Sequence, residues 1–425
     1  MRQTITYFEE GLDKSLKIGQ KNLTLVLLLF IYTTFNGVLR KWIFVGNSSV
    51  NNILFLIQLI SPYVFYFFYK KNIKLPRWNH IINLYTLILI LLALNPLNHT
   101  YYHGAFGVII HLSFWLMMYL YIQDKSILPL ERLINFFIII SLIEFILGYI
   151  QFYLPANHFL NRYDRNDGGI IALVGNYVRV TGTFTYLGGY SSFIFFYGSL
   201  LWYLIVQKKK SLPILIILAI MGLLASFING SRSCVAIYLL MILCAILSLK
   251  QAKDVIYLTL VIGLLTLFAY TYQVFDKVDI LNNSYGAFSS RVQDGQSTGE
   301  SNKRVLGPFD AVINYKDDYA LFGMGLGSTY QGANGLWGTS WYVLHHGGFE
   351  EEPERIVMEG GFFLLFIRLA MFGLLIKSLD TPIKYSLAVV FFLFFFTIFT
   401  FNINQVIYSF FSFCFIDKAY RRLDS

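Results

Sequence analysis

The sequence predicts an all-α polytopic membrane protein, and two observations lead to that prediction. Of the 425 residues, 56% are hydrophobic and only 13% are charged, whereas a soluble domain carries about 25% charged residues. Mean hydropathy is +0.58, and apolar runs of about 20 residues, long enough to cross a bilayer as a helix, recur along the chain. Because so few polar side chains cannot coat a water-soluble globule, we expect lipid to cover most of the surface.

About twelve apolar runs are predicted to be transmembrane helices of one integral membrane domain over residues 1–425. The spans lie near 22–45, 52–69, 80–97, 104–122, 133–154, 187–206, 212–228, 233–250, 255–272, 357–376, 385–400 and 403–416. The last two form a hairpin, because one straight helix over both would measure about 48 Å and exceed the bilayer. No cleavable signal is expected, since the first run is long enough to span and lacks a small-residue cleavage site.

Basic residues set the expected orientation of these spans. Lysines and arginines cluster in every second connection, which is the positive-inside pattern and places both termini in the cytoplasm. Because the net charge of +9 lies in these short clusters, we exclude a nucleic-acid partner. The opposite, extracytoplasmic face then receives 155–186, the turn 229–232 and a long loop over 273–356. Within that loop, apolar residues at helical spacing predict a short amphipathic helix over 303–315.

Arginine is concentrated on the extracytoplasmic face, against the positive-inside bias. The residues are Arg162, Arg165, Arg179, Arg232, Arg291, Arg304 and Arg355, with Arg40 in the outer part of the first span. A guanidinium pairs with phosphate oxygens at two points, so the cluster suggests an anionic, lipid-borne substrate such as a polyprenyl pyrophosphate. Pairing with loop carboxylates, including Asp164, Asp167 and Asp294, is the preferred interpretation for any single arginine except Arg179 and Arg232.

Those two arginines stand out by position. Arg232 lies in NGSRS, a very short turn between two apolar runs, so it sits at the membrane boundary. A charge there costs several kcal/mol unless it is paired or faces a wet cavity, which favours a functional role. Arg179 opens the stretch RVTGTFTYLGGYSSF, whose glycines allow the backbone to approach a ligand closely.

Two charges, Glu144 and Arg368, fall inside spans. Either they pair with each other, or Glu144 faces a polar cavity, and the sequence does not choose between these interpretations. The cysteines Cys234, Cys244 and Cys414 lie in apolar runs, and neither they nor His80, His99, His103, His111 and His158 have metal-ligand spacing. We therefore predict no metal site and no cofactor.

His345 and His346 are candidate general bases, since a neutral histidine can take a proton from an attacking hydroxyl. For any one of them, as for the glutamates between Glu350 and Glu354, a solvated loop is the preferred interpretation. Two further alternatives stay open. The rings could pack against Trp341 and Tyr342 while Glu350 or Glu359 acts as the base, or the reaction could need no strong base.

Several motifs together resemble the O-antigen polymerase and O-antigen ligase superfamily, most clearly over residues 170–375. They are VRVTGTF before a span, NGSRS between two spans, and the long loop with ALFGMGLGS followed by HH and a helix that begins with MEGG. FNGVLRKW and IEFILGYIQF also look like features of family members. The stretch after His346 departs from the family pattern because it is acidic and poorly patterned.

The resemblance implies a membrane glycosyltransferase of the bacterial inner membrane that takes glycan from undecaprenyl pyrophosphate. A polymerase, which joins repeat units of O-antigen, capsule or exopolysaccharide, is the leading expectation, a ligase to a lipid or protein acceptor the second, and a transporter or flippase the third. Arg179, Arg232, Arg291 and Arg304 are the expected pyrophosphate ligands, with His345, His346 and Arg232 as catalytic residues. The expected partners are the lipid-linked donor, the glycan acceptor, the bilayer and, as a further candidate, a chain-length regulator.

Overall fold

The fold was taken from a computed structural model, which describes residues 23–69, 76–125, 128–163, 173–174, 177–249, 253, 271, 277–297, 321–346, 351–400 and 402–421. In these ranges the all-α class is confirmed. The helices are α1 (Leu23–Ile43), α2 (Ser48–Tyr69), α3 (Pro76–Ala93), α4 (Tyr101–Gln123), α5 (Leu130–Tyr153), α6 (Leu187–Val206), α7 (Leu212–Ile228), α8 (Arg232–Leu247), α9 (Asp279–Ser297), α10 (Gln331–Trp337), α11 (Trp341–His346), α12 (Glu352–Ser378), α13 (Ile383–Phe396) and α14 (Ile403–Lys418). One short antiparallel pair joins β1 (Leu173–Val174) to β2 (Tyr177–Val178), with Leu173 opposite Val178.

Several of these helices have the length and composition of membrane spans. Among the described residues, α1, α2, α4, α5, α6 and α12 are long and apolar enough to cross a bilayer, and α3, α7, α8 and α13 are shorter apolar helices. Large apolar side chains such as Phe67, Leu91 and Phe366 are 61–68% exposed on the flanks of the bundle, an arrangement suited to lipid rather than water. The predicted span 255–272 and the predicted helix 303–315 lie outside the described residues.

The helix ends gather at two opposite ends of the bundle. At one end, here called the basic end, Lys125 forms ion pairs with Asp380 at 2.8 Å and with Asp417 at 3.2 Å, and the Tyr385 hydroxyl donates to the Leu247 carbonyl at 2.7 Å. At the other end, here called the loop end, Lys41 of α1 donates to the connection that follows α5, and the Val180 amide in that connection donates to the Ile228 carbonyl at the end of α7. Asn95, which follows α3, donates to the Gly323 carbonyl of the GMGLGS loop. Consecutive helices from α1 to α8 therefore run in alternating directions, as the alternating basic loops predict.

The centre of the bundle is occupied by α6, which packs against α8 and α14. Its side chains are almost all buried, and Trp202 and Tyr197 are fully buried. Aromatic rings from α1, α5 and α14 surround it. The ring centroids of Phe30 and Phe196 lie 5.0 Å apart, and those of Tyr408 and Phe193 lie 5.5 Å apart. This aromatic core holds the start of α6, and the loop before it, at a fixed position at the loop end.

Helix α12 differs from the predicted span 357–376 in its start and its shape. It begins at Glu352 and breaks at Gly361, whose φ of +65° is in the left-handed region. A Cβ atom there would lie 2.3 Å from the carbonyl carbon and oxygen of Leu321, so only glycine permits this approach. The amide of Phe363 donates to the Leu321 carbonyl at 3.1 Å, which docks the GMGLGS loop against the break in α12.

Candidate functional site

The turn between α7 and α8 is tied to the start of α6 by Asn229, which is fully buried. Its Nδ2 donates to the Val180 carbonyl at 3.1 Å, and its Oδ1 accepts from the Ser191 hydroxyl at 2.9 Å. Because one amide side chain uses its donor and its acceptor on two neighbouring segments, the NGSRS turn and the VRVTGTF segment form one surface at the loop end.

Two of the predicted arginines meet on this surface. Arg179 is half-buried and donates from Nε to the Asn229 carbonyl at 3.4 Å, while its own carbonyl accepts from the Tyr163 hydroxyl at 3.1 Å. Arg232 is the first residue of α8 and follows Asn229 by three positions. The structure therefore brings Arg179 to the turn that carries Arg232.

Helix α9 adds a third arginine. A Cβ atom on Gly295 would lie only 2.1 Å from Nη1 of Arg232, so the guanidinium of Arg232 rests directly on α9. Arg291 precedes Gly295 by four residues and thus lies on the same face of that helix. The ring of Phe288 packs 5.2 Å from that of Phe227, at the end of α7. Arg179, Arg232 and Arg291 are therefore carried by elements that pack together, whereas Arg304 lies outside the described residues.

The other predicted arginines have different environments. Arg162 is exposed, and Arg40 lies over the Phe55 ring at 5.8 Å. Arg355 is buried and donates to the Thr329 carbonyl at 3.4 Å. Arg165 lies outside the described residues. None of these contacts places Arg40 or Arg355 on the surface formed by the NGSRS turn.

A buried lysine holds the loop that follows Arg179. Lys41 is 1% exposed, in the π-helical last turn of α1, and its ammonium donates to Thr181 Oγ1 at 2.9 Å, to the Gly182 carbonyl at 2.9 Å and to the Phe184 carbonyl at 2.7 Å. These three bonds use every donor of the ammonium. FNGVLRKW thus contributes a side chain that fixes the VTGTF loop.

The same loop is held from α5. Glu144 is fully buried and accepts from the Thr183 amide at 3.1 Å and from the Thr183 hydroxyl at 2.5 Å. Two turns further along, Gln151 accepts from the Gly182 amide at 2.8 Å and donates to the Gly182 carbonyl at 2.9 Å. The interpretation in which Glu144 pairs with Arg368 is wrong, because Glu144 is bound to this loop.

Arg368 belongs to a second buried network. Its Nη2 donates to His111 Nδ1 at 2.8 Å, and His111 Nε2 lies 2.8 Å from Glu359 Oε2. Arginine can only donate, so Nδ1 must be the acceptor and the ring proton sits on Nε2, directed at Glu359. A neutral imidazole therefore connects the arginine to the carboxylate.

Glu359, at the break in α12, uses its carboxylate to hold the GMGLGS loop. It is 1% exposed and accepts from the Gly327 amide at 2.7 Å, from the Thr329 amide at 3.0 Å and from the Thr329 hydroxyl at 2.5 Å, in addition to His111. Four donors match the capacity of a carboxylate. Because a proton on Glu359 would displace one of them, its geometry favours a loop-holding role over that of a general base.

The predicted bases have a different setting. The His345 ring stacks on Trp341 at 4.8 Å and 11°, as the packing alternative expects. The side chain of His346 and all of Glu350 lie outside the described residues. In the acidic stretch the solvated-loop interpretation is wrong for Glu352, which is fully buried and accepts from the amides of Phe399 at 2.8 Å and Thr400 at 2.9 Å.

Sequence reasoning missed two residues of these networks. Lys41 lies in a predicted span beside Arg40, and a second basic residue so near a span end could have marked it. His111 lies in the middle of an apolar run and was set aside because it lacked metal-ligand spacing. Its position in a span, where a polar side chain needs a partner, was the available signal.

No protein-family model matches this chain, and no curated protein matches it. The class of protein is therefore defined by the structure alone, as a helical bundle with helices of membrane-spanning length and an arginine surface at one end.

Proposed function

We propose that this chain is a membrane-embedded glycosyltransferase that uses glycans linked to undecaprenyl pyrophosphate. The observation that carries the proposal is the meeting of Arg179, Arg232 and Arg291 at the NGSRS turn. Nearby cations at a membrane boundary repel one another. An anionic ligand that bridges the three arginines relieves this repulsion, and its binding is stabilised by attraction to all three. Polyprenyl pyrophosphate is a ligand of that kind that reaches the boundary from the bilayer.

The topology belongs to the same proposal. We propose about twelve spans with both termini in the cytoplasm of the bacterial inner membrane, the basic end facing inward and the arginine surface facing outward. Cysteine labelling in intact cells tests this. Lys209→Cys should resist a membrane-impermeant maleimide until the cells are opened, while Ser301→Cys should react from outside. Labelling of Lys209→Cys in intact cells would contradict the topology.

The proposed reaction is displacement at the anomeric carbon of the donor. The bond from that carbon to the pyrophosphate oxygen breaks, and its electron pair leaves with the pyrophosphate. The acceptor hydroxyl oxygen forms the new glycosidic bond, and its proton passes to a base, for which His346 is the candidate because the His345 ring stacks on Trp341. Preorganised guanidinium groups in a water-poor site stabilise the charge that develops on the leaving group.

The leading function is polymerisation, in which lipid-linked repeat units serve as donor and acceptor. A polymerase must hold two pyrophosphates, one on the donor and one on the acceptor. The presence of arginine on three elements of one surface therefore favours polymerisation. The test uses purified protein and a lipid-linked repeat unit without added ATP or metal. Longer chains on undecaprenyl pyrophosphate support a polymerase, transfer to another lipid or a protein supports a ligase, and movement across a vesicle membrane without bond formation supports a transporter.

Arg232→Lys tests the role of the arginine surface. Lysine keeps the charge but loses the two-point contact with phosphate, so we expect the elongation rate to fall on the order of 10²-fold, at unchanged protein level. Arg162→Lys, an exposed arginine at the loop end, is the matched control and should keep the wild-type rate. Wild-type elongation by Arg232→Ala would exclude Arg232 from the site.

A further inference from the structure

An aromatic surface at the loop end consists of Tyr102, Trp337, Trp341 and His345. Tyr102 is 65% exposed and stacks on Trp337 at 5.7 Å and 17°. Trp341 is 61% exposed and stacks on His345 at 4.8 Å and 11°. Two pairs of nearly parallel rings thus lie at the rim of the bundle with much of their area open.

This aromatic surface is fixed to α4 by a hydrogen-bonded histidine. His103 Nε2 lies 3.0 Å from the Gly338 carbonyl, and its Nδ1 lies 2.8 Å from Thr100 Oγ1. A carbonyl can only accept, so the ring proton sits on Nε2 and the Thr100 hydroxyl donates to Nδ1. Gly338, at φ +89°, makes the turn between α10 and α11. The rings are therefore presented from an ordered turn.

The two described segments that carry the rings are neutral and polar. Residues 321–346 contain no Asp, Glu, Lys or Arg, and neither do residues 93–123, so neither segment that builds this surface carries a cation for a lipid phosphate. Exposed Gln331 lies on α10, and half-buried Thr339 follows in the turn. Sugar rings have one face of C–H groups that packs on flat aromatic rings, and hydroxyl groups at the edge that bond to neutral polar side chains.

We propose that the aromatic surface binds sugar rings of the glycan chain, so that the growing polymer stays on the enzyme between additions. This inference rests on the proposed glycosyltransferase function and adds a site for the neutral part of the substrate. It assigns the charged pyrophosphate to the arginine surface and the uncharged glycan to a separate surface at the same end of the bundle.

Product length tests the proposal. Trp341→Ala and Tyr102→Ala should shorten the mean chain at least twofold while the rate of the first transfer stays at the wild-type value. Trp341→Tyr keeps a flat ring and should restore the length. Phe366→Ala is the matched control, because Phe366 is 68% exposed on the lipid-facing flank of α12, and it should leave the length unchanged.

A binding measurement separates glycan from membrane contact. In lipid nanodiscs, the fluorescence lost in Trp341→Phe reports on Trp341. The repeat-unit oligosaccharide, released from its lipid by mild acid, should change that signal, while lipids brominated on the acyl chains should not quench it. Quenching by brominated lipid, with wild-type product length in Trp341→Ala, would show a membrane anchor and overturn the inference. No elongation by the wild-type protein would instead refute the proposed function.

Discussion

The VTGTF loop and the GMGLGS loop each form hydrogen bonds to a buried glutamate, but different cations lie near the two glutamates. In each, a buried glutamate on a helix accepts from both the amide and the hydroxyl of one threonine: Glu144 from Thr183, and Glu359 from Thr329. The cation differs. Lys41 donates three hydrogen bonds to the first loop. The second loop receives one bond from Arg355, at the Thr329 carbonyl, and its carboxylate is linked to Arg368 through the neutral ring of His111.

The difference shows what each loop is built to position. The VTGTF loop begins directly after Arg179, so Lys41 fixes the backbone beside a proposed phosphate ligand. The GMGLGS loop instead leads to the aromatic surface, and Arg368, which is linked to its carboxylate through His111, is fully buried in the bundle. A third glutamate, Glu352, accepts from the amide and hydroxyl of Thr400. Buried carboxylates thus hold irregular backbone inside the bundle, where each unsatisfied polar group is costly.

Removing Glu359 should have the largest effect of the changes considered. Glu359→Ala leaves four buried donors without an acceptor, and each costs roughly 1–3 kcal/mol, so we expect the free energy of unfolding to fall by about 5 kcal/mol. Thermal unfolding of the purified protein in detergent measures this. Glu354→Ala, half-buried on the same helix, is the control, and an equal effect of both changes would show that Glu359 does not hold the loop.

Removing Lys41 should have a smaller effect, and a double variant should show that the charges of Lys41 and Glu144 are coupled. Lys41→Met leaves three acceptors of the VTGTF loop without their donor, and we expect a loss of about 3 kcal/mol. Adding Glu144→Gln removes the other charge, so the double variant should lose less than the sum of the single losses. Strict additivity in unfolding measurements would mean that Lys41 and Glu144 act independently.

The sequence predicts more of the fold than of the buried hydrogen-bond networks. Hydrophobic run length located the helices because burial in lipid leaves a continuous apolar signal. The break at Gly361 and the bond between His111 and Glu359 arise from residues far apart in the chain, and no local period encodes them. Arg179, Arg232 and Arg291 were singled out because charge on the predicted extracytoplasmic face is unusual, whereas Lys41 was missed because its partners belong to a loop distant in the sequence.

The substitutions with the smallest expected effect test whether a hydrogen bond from a threonine hydroxyl to a buried glutamate stabilises both loops. Thr183→Val and Thr329→Val each remove a single hydroxyl that donates to a buried carboxylate and leave the size of the side chain nearly unchanged. A hydrogen bond to a charged group contributes about 1.5–3 kcal/mol, so both variants should lose about 2 kcal/mol of unfolding free energy. The Thr183 hydroxyl also lies 2.6 Å from the Thr34 carbonyl, so Thr183→Val removes a donor that two acceptors share and should lose at least as much as Thr329→Val.

Thr33→Val supplies the control for this comparison. Thr33 is 1% exposed, and its hydroxyl donates to the Leu29 carbonyl one turn earlier in α1, a neutral acceptor that keeps its place in the helix. Losing that bond should cost about 0.5 kcal/mol. If Thr329→Val is as mild as Thr33→Val while Thr183→Val is not, the Thr329 hydroxyl does not contribute at Glu359. The GMGLGS loop would then depend on His111 and the amides of Gly327 and Thr329, and the two loops would differ in their threonine contact as well as in their cation.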